Sequence, residues 1–287
     1  MKAYPRLFQK LFASPLMLHA PARMSFENVL LSRMFGETPI AAVPVALVDA
    51  PAEPKDPDTW RVSSIYERTG SVAVITIDGV IDKRVDAFEL SCYGGVDLAD
   101  VDAALAHAAN DPRVTKIVLD IHSPGGSVIG VHDTYQRILD LAQTKEVHAY
   151  VNAMACSAGY YIASAADFIA ASPSAIVGSI GVYMAVLDAS RWYQDQGLQV
   201  QVMQGGIWKT MGAEWKPLSD PERAKLQAGV EQCYTAFKAA VNAKRPQVAD
   251  STMQGQWMNG TEGLALGLVD ETTGATLDEY VSALLVA

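Results

Sequence analysis

Histidine is scarce in this 287-residue chain and stops early: His19, His107, His122, His132 and His148 are the whole set. The α/β-hydrolase order places its histidine after the nucleophilic serine, so no serine beyond residue 148 belongs to such a triad. Cysteine is nearly as sparse. Cys92, Cys156 and Cys233 are far apart and form no CxxC pair, which argues against a disulfide framework or a thiolate zinc site and suits a reducing, cytoplasmic setting. Basic residues are outnumbered, 22 Lys and Arg against 32 Asp and Glu, for a net charge of −10. A chain so acidic lacks the basic face that nucleic acid requires. There is no HExxH, no P-loop and no GxGxxG after a strand, so no metal or nucleotide cofactor is expected.

An unbroken membrane-length apolar helix is also lacking. Phe168–Leu187 carries no charge, but three serines, two glycines and a proline interrupt it, and buried strands or short helices fit it better than a span. At the N-terminus Lys2, Arg6 and Lys10 precede LFASPLMLHAPA, a faint signal-peptide pattern that Ser14, Pro15 and His19 break up. A soluble protein without a membrane span is expected.

Half the residues are hydrophobic and only 19% charged, the balance of a globular chain. Residues 1–60 read as an N-terminal arm and linker: MSFENVLLSRMFG fits a short amphipathic helix, and five prolines then crowd PIAAVPVALVDAPAEPKDPDTW. Residues 61–287 form the folded domain, with helices and strands in alternation. SVAVITIDGVI, TKIVLDI and EVHAYVN read as strands, as do AIVGSIGVYMAVLD and LQVQVMQ. A helix starts at Asp97 and stops before Pro112, and a second follows the Gly-rich SPGGS turn. A long third helix has Pro221 in its first turn and a stripe of Leu226, Val230, Cys233, Phe237 and Val241. This pattern predicts an α/β fold whose mostly parallel sheet carries its site at the carboxyl ends of strands.

Two such ends hold unusual turns, HSPGGS and ACSAG. Gly125 and Gly126 leave backbone N–H groups open to a ligand. Ser157, at a helix start, sets its hydroxyl beside the N–H of Ala158. Together they offer donors for a developing oxyanion, although two tight packing turns would look the same. A serine nucleophile needs a base. His122 is one candidate. A lysine is another: lowering its pKa from near 10.4 to about 8 raises the neutral fraction at pH 7 from about 0.04% to roughly 10%, and apolar burial supplies such a shift. Of the five lysines after Ser157, Lys225, Lys238 and Lys244 lie on the long helix, and Lys216 reads as an exposed loop residue. Lys209 is flanked by Ile207, Trp208 and Met211. Ser179 interrupts an apolar run, and its hydroxyl must find a partner, a lysine amine or a backbone carbonyl.

DIHSPGGS, ACSAGYYIASAAD, IVGSIGV, GIWKTMGAEWKPLSDPER and NGTEGLALGLVD, in that order and spacing, resemble the signal-peptide-peptidase A type serine peptidases, the protease IV family. The resemblance covers about residues 71–270 and makes 61–287 a Ser-Lys peptidase domain. It implies a Clp protease/crotonase-like spiral of ββα units, with Ser157 as nucleophile and Lys209 as general base. Ser179 then holds the lysine amine, and the N–H groups of Gly125, Gly126 and Ala158 form the oxyanion hole. It also implies a homo-oligomeric ring in which Ser and Lys can come from neighbouring subunits. No membrane anchor is visible, and the leader is similar to that of the phage and prophage head-maturation branch, the proteases resembling lambda capsid protein C. Their substrates are scaffold, portal and capsid proteins inside the assembling prohead, and the scaffold is expected to be a separate chain. The alternatives are an anchorless bacterial signal-peptide peptidase, a non-catalytic capsid assembly module of the same fold, and a crotonase-like acyl-CoA enzyme.

Overall fold

Strands that are apolar on both faces need cover on both sides, and the chain provides it by building a parallel sheet with helices packed against it. The computed structural model describes residues 15–18, 62, 64–85 and 94–286. The larger sheet runs in the order β11-β10-β8-β6-β3-β2, with β2 Tyr66–Thr69, β3 Val72–Asp78, β6 Lys116–Ser123, β8 Glu146–Cys156, β10 Ile176–Gly178 and β11 Trp257–Asn259. The pairs β3/β6, β6/β8 and β8/β10 are parallel, and the edge strands β2 and β11 are antiparallel to their neighbours.

The eleven-residue β8 is long enough to serve two neighbours along one edge. Its first half, His148–Val151, pairs with β9 (Phe168–Ala171), and its last three residues pair with β10. Beyond β9 lies β12 (Glu271–Thr272). The uncharged run at Phe168–Leu187 thus divides into β9, β10 and an irregular segment. Among the described residues no helix is long and apolar enough to cross a membrane.

A smaller sheet, β1-β7-β4-β5, joins β1 (Leu16–Leu18), β7 (Gly125–Ser127), β4 (Ile81–Asp82) and β5 (Val96–Asp97). The SPGGS stretch, expected as a turn, is therefore partly a strand, because its glycines let two other backbones come close on either side. Leu16–Leu18 belong to the N-terminal arm, yet all three are buried. The amphipathic helix expected within the arm, the proline-rich stretch, His19 and Cys92 lie outside the described residues.

Helix α1 (Leu98–Asn110) starts where expected. The Asp97 carboxylate accepts from Ala99 N–H, and from the N–H groups of Arg84 and Val85, each at 2.9 Å. Helix α2 (Val131–Leu141) follows β7, and α3 (Ala158–Ala163) follows β8. A short helix α4 (Ser190–Asp195) precedes the long α5 (Asp220–Lys244), which α6 (Gly260–Ala265) and α7 (Leu277–Val286) follow. Helix α5 is anchored through its C-terminal half: the Tyr135 hydroxyl donates to Ala240 O, and the Tyr161 ring stacks on Phe237 at 4.6 Å.

The predicted stripe on α5 is only half realised. Phe237 and Val241 are buried, whereas Leu226, Val230 and Cys233 stay partly exposed. The segment before the helix is more exposed still. LQVQVMQ forms no strand, and Leu198, Val200 and Val202 are 45–50% exposed. Alternation favours a strand only where a sheet edge receives it, and no strand among the described residues pairs with this segment.

The start of α5 is held by charge. Ser219 and Glu222 form a capping box, with Glu222 accepting from the Ser219 N–H at 3.0 Å and hydroxyl at 2.9 Å while the Lys216 amine donates to the same carboxylate. Lys216, expected as an exposed loop residue, is partly buried and tied to Glu222. The Lys216 hydrogen bond and then the two from Ser219 hold the Glu222 carboxyl at about 2. A carboxylate depressed in the folded state stabilises it above the ordinary glutamate pKa, and this contribution is lost as pH falls towards the folded value. Thermal melts between pH 5 and pH 2 check this: wild type loses stability more steeply over that window than Glu222→Gln. In the core, Phe237→Ala removes a ring with no exposed surface and should lower unfolding free energy by about 3–5 kcal/mol, read by urea denaturation.

Candidate active site

The parallel register brings the two turns picked out in the sequence to one level. Ser123 pairs with Ala155, and Cys156 pairs with Gly178, so the residues that follow leave the sheet side by side. Ser157 takes φ 54° and ψ −117°, a region that L-residues avoid. Such a conformation costs about 1–3 kcal/mol and persists only where its surroundings enforce it. Here Ser157 N–H donates to Gly178 O at 2.8 Å, and Ser157 O accepts from Tyr161 N–H at 2.8 Å, the first turn of α3. The side chain is 1% exposed. A serine on a sharp strand-to-helix turn has the geometry of a presented nucleophile. Ala158 is the first residue of α3, so its N–H has no intrahelical acceptor.

Ser179 leaves β10 alongside. It also has a positive φ, 54°, and its N–H donates to Gln256 O at 2.7 Å. Neither the Ser157 nor the Ser179 hydroxyl has a hydrogen-bond partner among the described residues.

The glycine strand closes the third side. A β-carbon on Gly125 would sit 2.8 Å from the Ser157 β-carbon and 2.1 Å from the Met17 carbonyl oxygen. One on Gly126 would sit 1.8 Å from Ile81 O. Both approaches are closed to any side chain. Ser123, quoted in the motif but given no role there, positions this strand: its hydroxyl donates to Gly79 O at 2.6 Å and accepts Gly125 N–H at 3.1 Å. The Gly125 amide is therefore already engaged.

Five of the six predicted site residues thus converge, and Lys209 makes no hydrogen bond to any of them. It lies on an exposed turn, its N–H bonded to Gly206 O, and its amine has no hydrogen bond or ion pair among the described residues. The apolar surroundings expected of it are not formed among the described residues, where Ile207 is 73% exposed and Trp208 41%.

The other nucleophile and base candidates are occupied. His122 is exposed and lies 3.0 Å from an oxygen of the Asp78 carboxylate; it points to the opposite face of β6 from Ser123. His148 is buried between the Tyr280 hydroxyl and Glu146, and His132 bonds the Tyr161 hydroxyl. Burial pushes the thiol of Cys156, next to Ser157, up to about 12. Cys156 should therefore resist iodoacetamide at pH 8 in the folded protein and react once urea unfolds it, as read by peptide mass spectrometry. Among the described residues no group of His, Cys, Asp and Glu side chains is placed to hold a metal ion.

A profile of Peptidase family S49 matches residues 140–284, the half of the chain that contains Ser157, Ser179 and Lys209. The chain belongs to peptidase family S49. It is 32% identical over 225 residues to Capsid assembly protease C of Escherichia phage lambda, covering 77% of this chain and 51% of that protein. It is 29% identical over 276 residues to Head-tail preconnector protein GP5 of Enterobacteria phage P21, covering 92% of this chain and 54% of that one. The chain thus spans about half the length of these relatives. Among solved structures, an enoyl-CoA hydratase/isomerase family protein from Silicibacter pomeroyi superposes with a TM-score of 0.45 at 21% identity, over 76% of this chain and 79% of that one. So loose a likeness decides nothing about chemistry.

Proposed function

We propose that this S49 peptidase is a serine endopeptidase that works by a Ser157-Lys209 dyad built across a subunit interface. The observation that carries the reading is the strained, buried Ser157, whose hydroxyl has no partner among the described residues, while Lys209 stands exposed and has none there either. An adjacent subunit supplies both needs. Its Lys209, with Ile207 and Trp208, docks over Ser157 and Ser179, in apolar surroundings that disfavour a charge. The exposed apolar side chains from Trp192 to Trp208 and the open half of the α5 stripe support such a contact. Head-to-tail contacts of this kind close into a ring.

In the proposed reaction neutral Lys209 takes the Ser157 proton, and Ser157 Oγ attacks the substrate carbonyl. The oxyanion rests on the N–H groups of Gly126 and Ala158, since Gly125 N–H is held by Ser123. Ser179 accepts a hydrogen bond from the lysine amine and orients it. The acyl-enzyme is then hydrolysed by water. No cofactor takes part. Substrates enter as extended segments of protein. The relatives named capsid assembly protease and head-tail preconnector protein support substrates among capsid-related proteins; in this reading they are scaffold, portal and capsid proteins, cut inside an assembling prohead in the host cytoplasm.

Cleavage of casein by purified wild type, Ser157→Ala and Lys209→Ala tests the dyad, with light scattering to confirm assembly. Both variants should assemble and be inactive. Dissociated, mixed and reassembled one to one, they should regain about a quarter of wild-type activity, because that fraction of interfaces pairs an intact serine with an intact lysine. No recovery on mixing would move the dyad into a single subunit. Activity in Lys209→Ala would remove the lysine from the mechanism.

A further inference from the structure

The groove in front of Ser157 is already filled by the chain itself. Strand β1 lies between two backbones. On one side it pairs antiparallel with β7, Leu16 opposite Ser127, Met17 opposite Gly126 and Leu18 opposite Gly125. On the other, Leu16 N–H donates to Tyr183 O at 2.9 Å and Leu16 O accepts Tyr183 N–H at 3.1 Å. An extended peptide held on both edges by main-chain hydrogen bonds, with its side chains buried, is bound in the way a strand-adding ligand is bound. Leu16, Met17 and Leu18 are 5%, 3% and 6% exposed.

The position of Met17 gives this occupancy its meaning. Its carbonyl oxygen and the Ser157 β-carbon both lie within 3 Å of the point where a Gly125 β-carbon would stand. The carbonyl therefore sits beside both the glycine strand and the serine, and the next bond along the chain joins Met17 to Leu18.

We infer that Leu16–Leu18 is an internal substrate and that the protein cuts its own Met17–Leu18 bond. The inference rests on the reading of Ser157 as nucleophile. Ser157 Oγ bonds to the Met17 carbonyl carbon, the bond to the Leu18 nitrogen breaks, and the serine proton passes through Lys209 to the Leu18 amine. Water then hydrolyses the Met17 ester, leaving a Met17 carboxylate and restoring the hydroxyl. Because Lys209 makes no hydrogen bond to Ser157 in the single chain, the strand blocks the groove until a neighbour supplies the base, and the cut then clears the groove for other substrates.

Intact-mass spectrometry and N-terminal sequencing of the full chain, before and after assembly, test this alongside casein cleavage. Assembled wild type should convert to a form that begins at Leu18, and assembled Ser157→Ala should stay whole. Met17→Asp, which places a charge in the buried groove, should slow the cut by about tenfold or more, with a thermal melt to check that it folds. Wild type that digests casein yet keeps its Met17–Leu18 bond would overturn the inference and leave the peptidase reading standing. So would a new terminus elsewhere, or a Met17→Asp variant that cuts itself at the wild-type rate. Wild type that assembles and cuts neither bond nor casein would overturn both.

Discussion

The register of three parallel strands governs the site. Because β6, β8 and β10 run the same way and end at one level, their carboxyl ends deliver Ser123, Ser157 and Ser179 side by side, although these residues lie far apart in sequence. A slip of one residue in β8 would turn Ser157 to the other face and bury a different residue against the glycine strand. Val147–Val151 of β8 are buried on both faces and flanked by the exposed polar residues Glu146 and Asn152, so a slipped register would draw one of those polar residues towards the core. Core burial therefore fixes the position of Ser157.

The same arrangement explains how the chain tolerates its strain. Ser157 and Ser179 both adopt a backbone conformation that glycine would accept more readily. Each is pinned by a short main-chain hydrogen bond, to Gly178 O and to Gln256 O respectively. Packing holds the frame around them. Tyr160 is fully buried with its hydroxyl on Leu268 O, and Tyr161 lies between Tyr135 and Phe237. Helix α3 is too short to be stable alone, so these anchors keep its first N–H beside Ser157. Gly125 and Gly126 complete the frame from the other side, where backbone from Met17 and Ile81 fills the space a side chain would need.

Features set by local chemistry were legible in the sequence: the Asp97 cap, the stop before Pro112, the Pro221 helix start and the runs that became β3, β6 and β8. The two turns were also legible as candidates, and the parallel register brings them to one level. What escaped depended on distant partners. Leu16–Leu18 is three apolar residues between a proline and a histidine, too short for any period to show. The glycine strand β7 exists only because β1 and β4 arrive to pair with it. LQVQVMQ alternates like a strand but meets no edge among the described residues. Lys209 has the apolar sequence neighbours of a buried lysine, yet sequence neighbours do not bury a residue on an exposed turn.

Those last two features point the same way when combined with the unpartnered serine hydroxyls. A peptidase that carried a complete dyad in every newly made chain would be able to cut whatever it met before reaching its place of work. Dividing the dyad between subunits, as proposed, ties activity to assembly through the law of mass action, because the interface forms only where the protein is concentrated. The strand in the groove acts at the same point. As part of the same chain it is present at high effective concentration, so a dilute protein substrate competes poorly with it. Both devices use the fold's existing parts: a strand edge that will pair with any extended chain, and an apolar segment that a single subunit leaves uncovered.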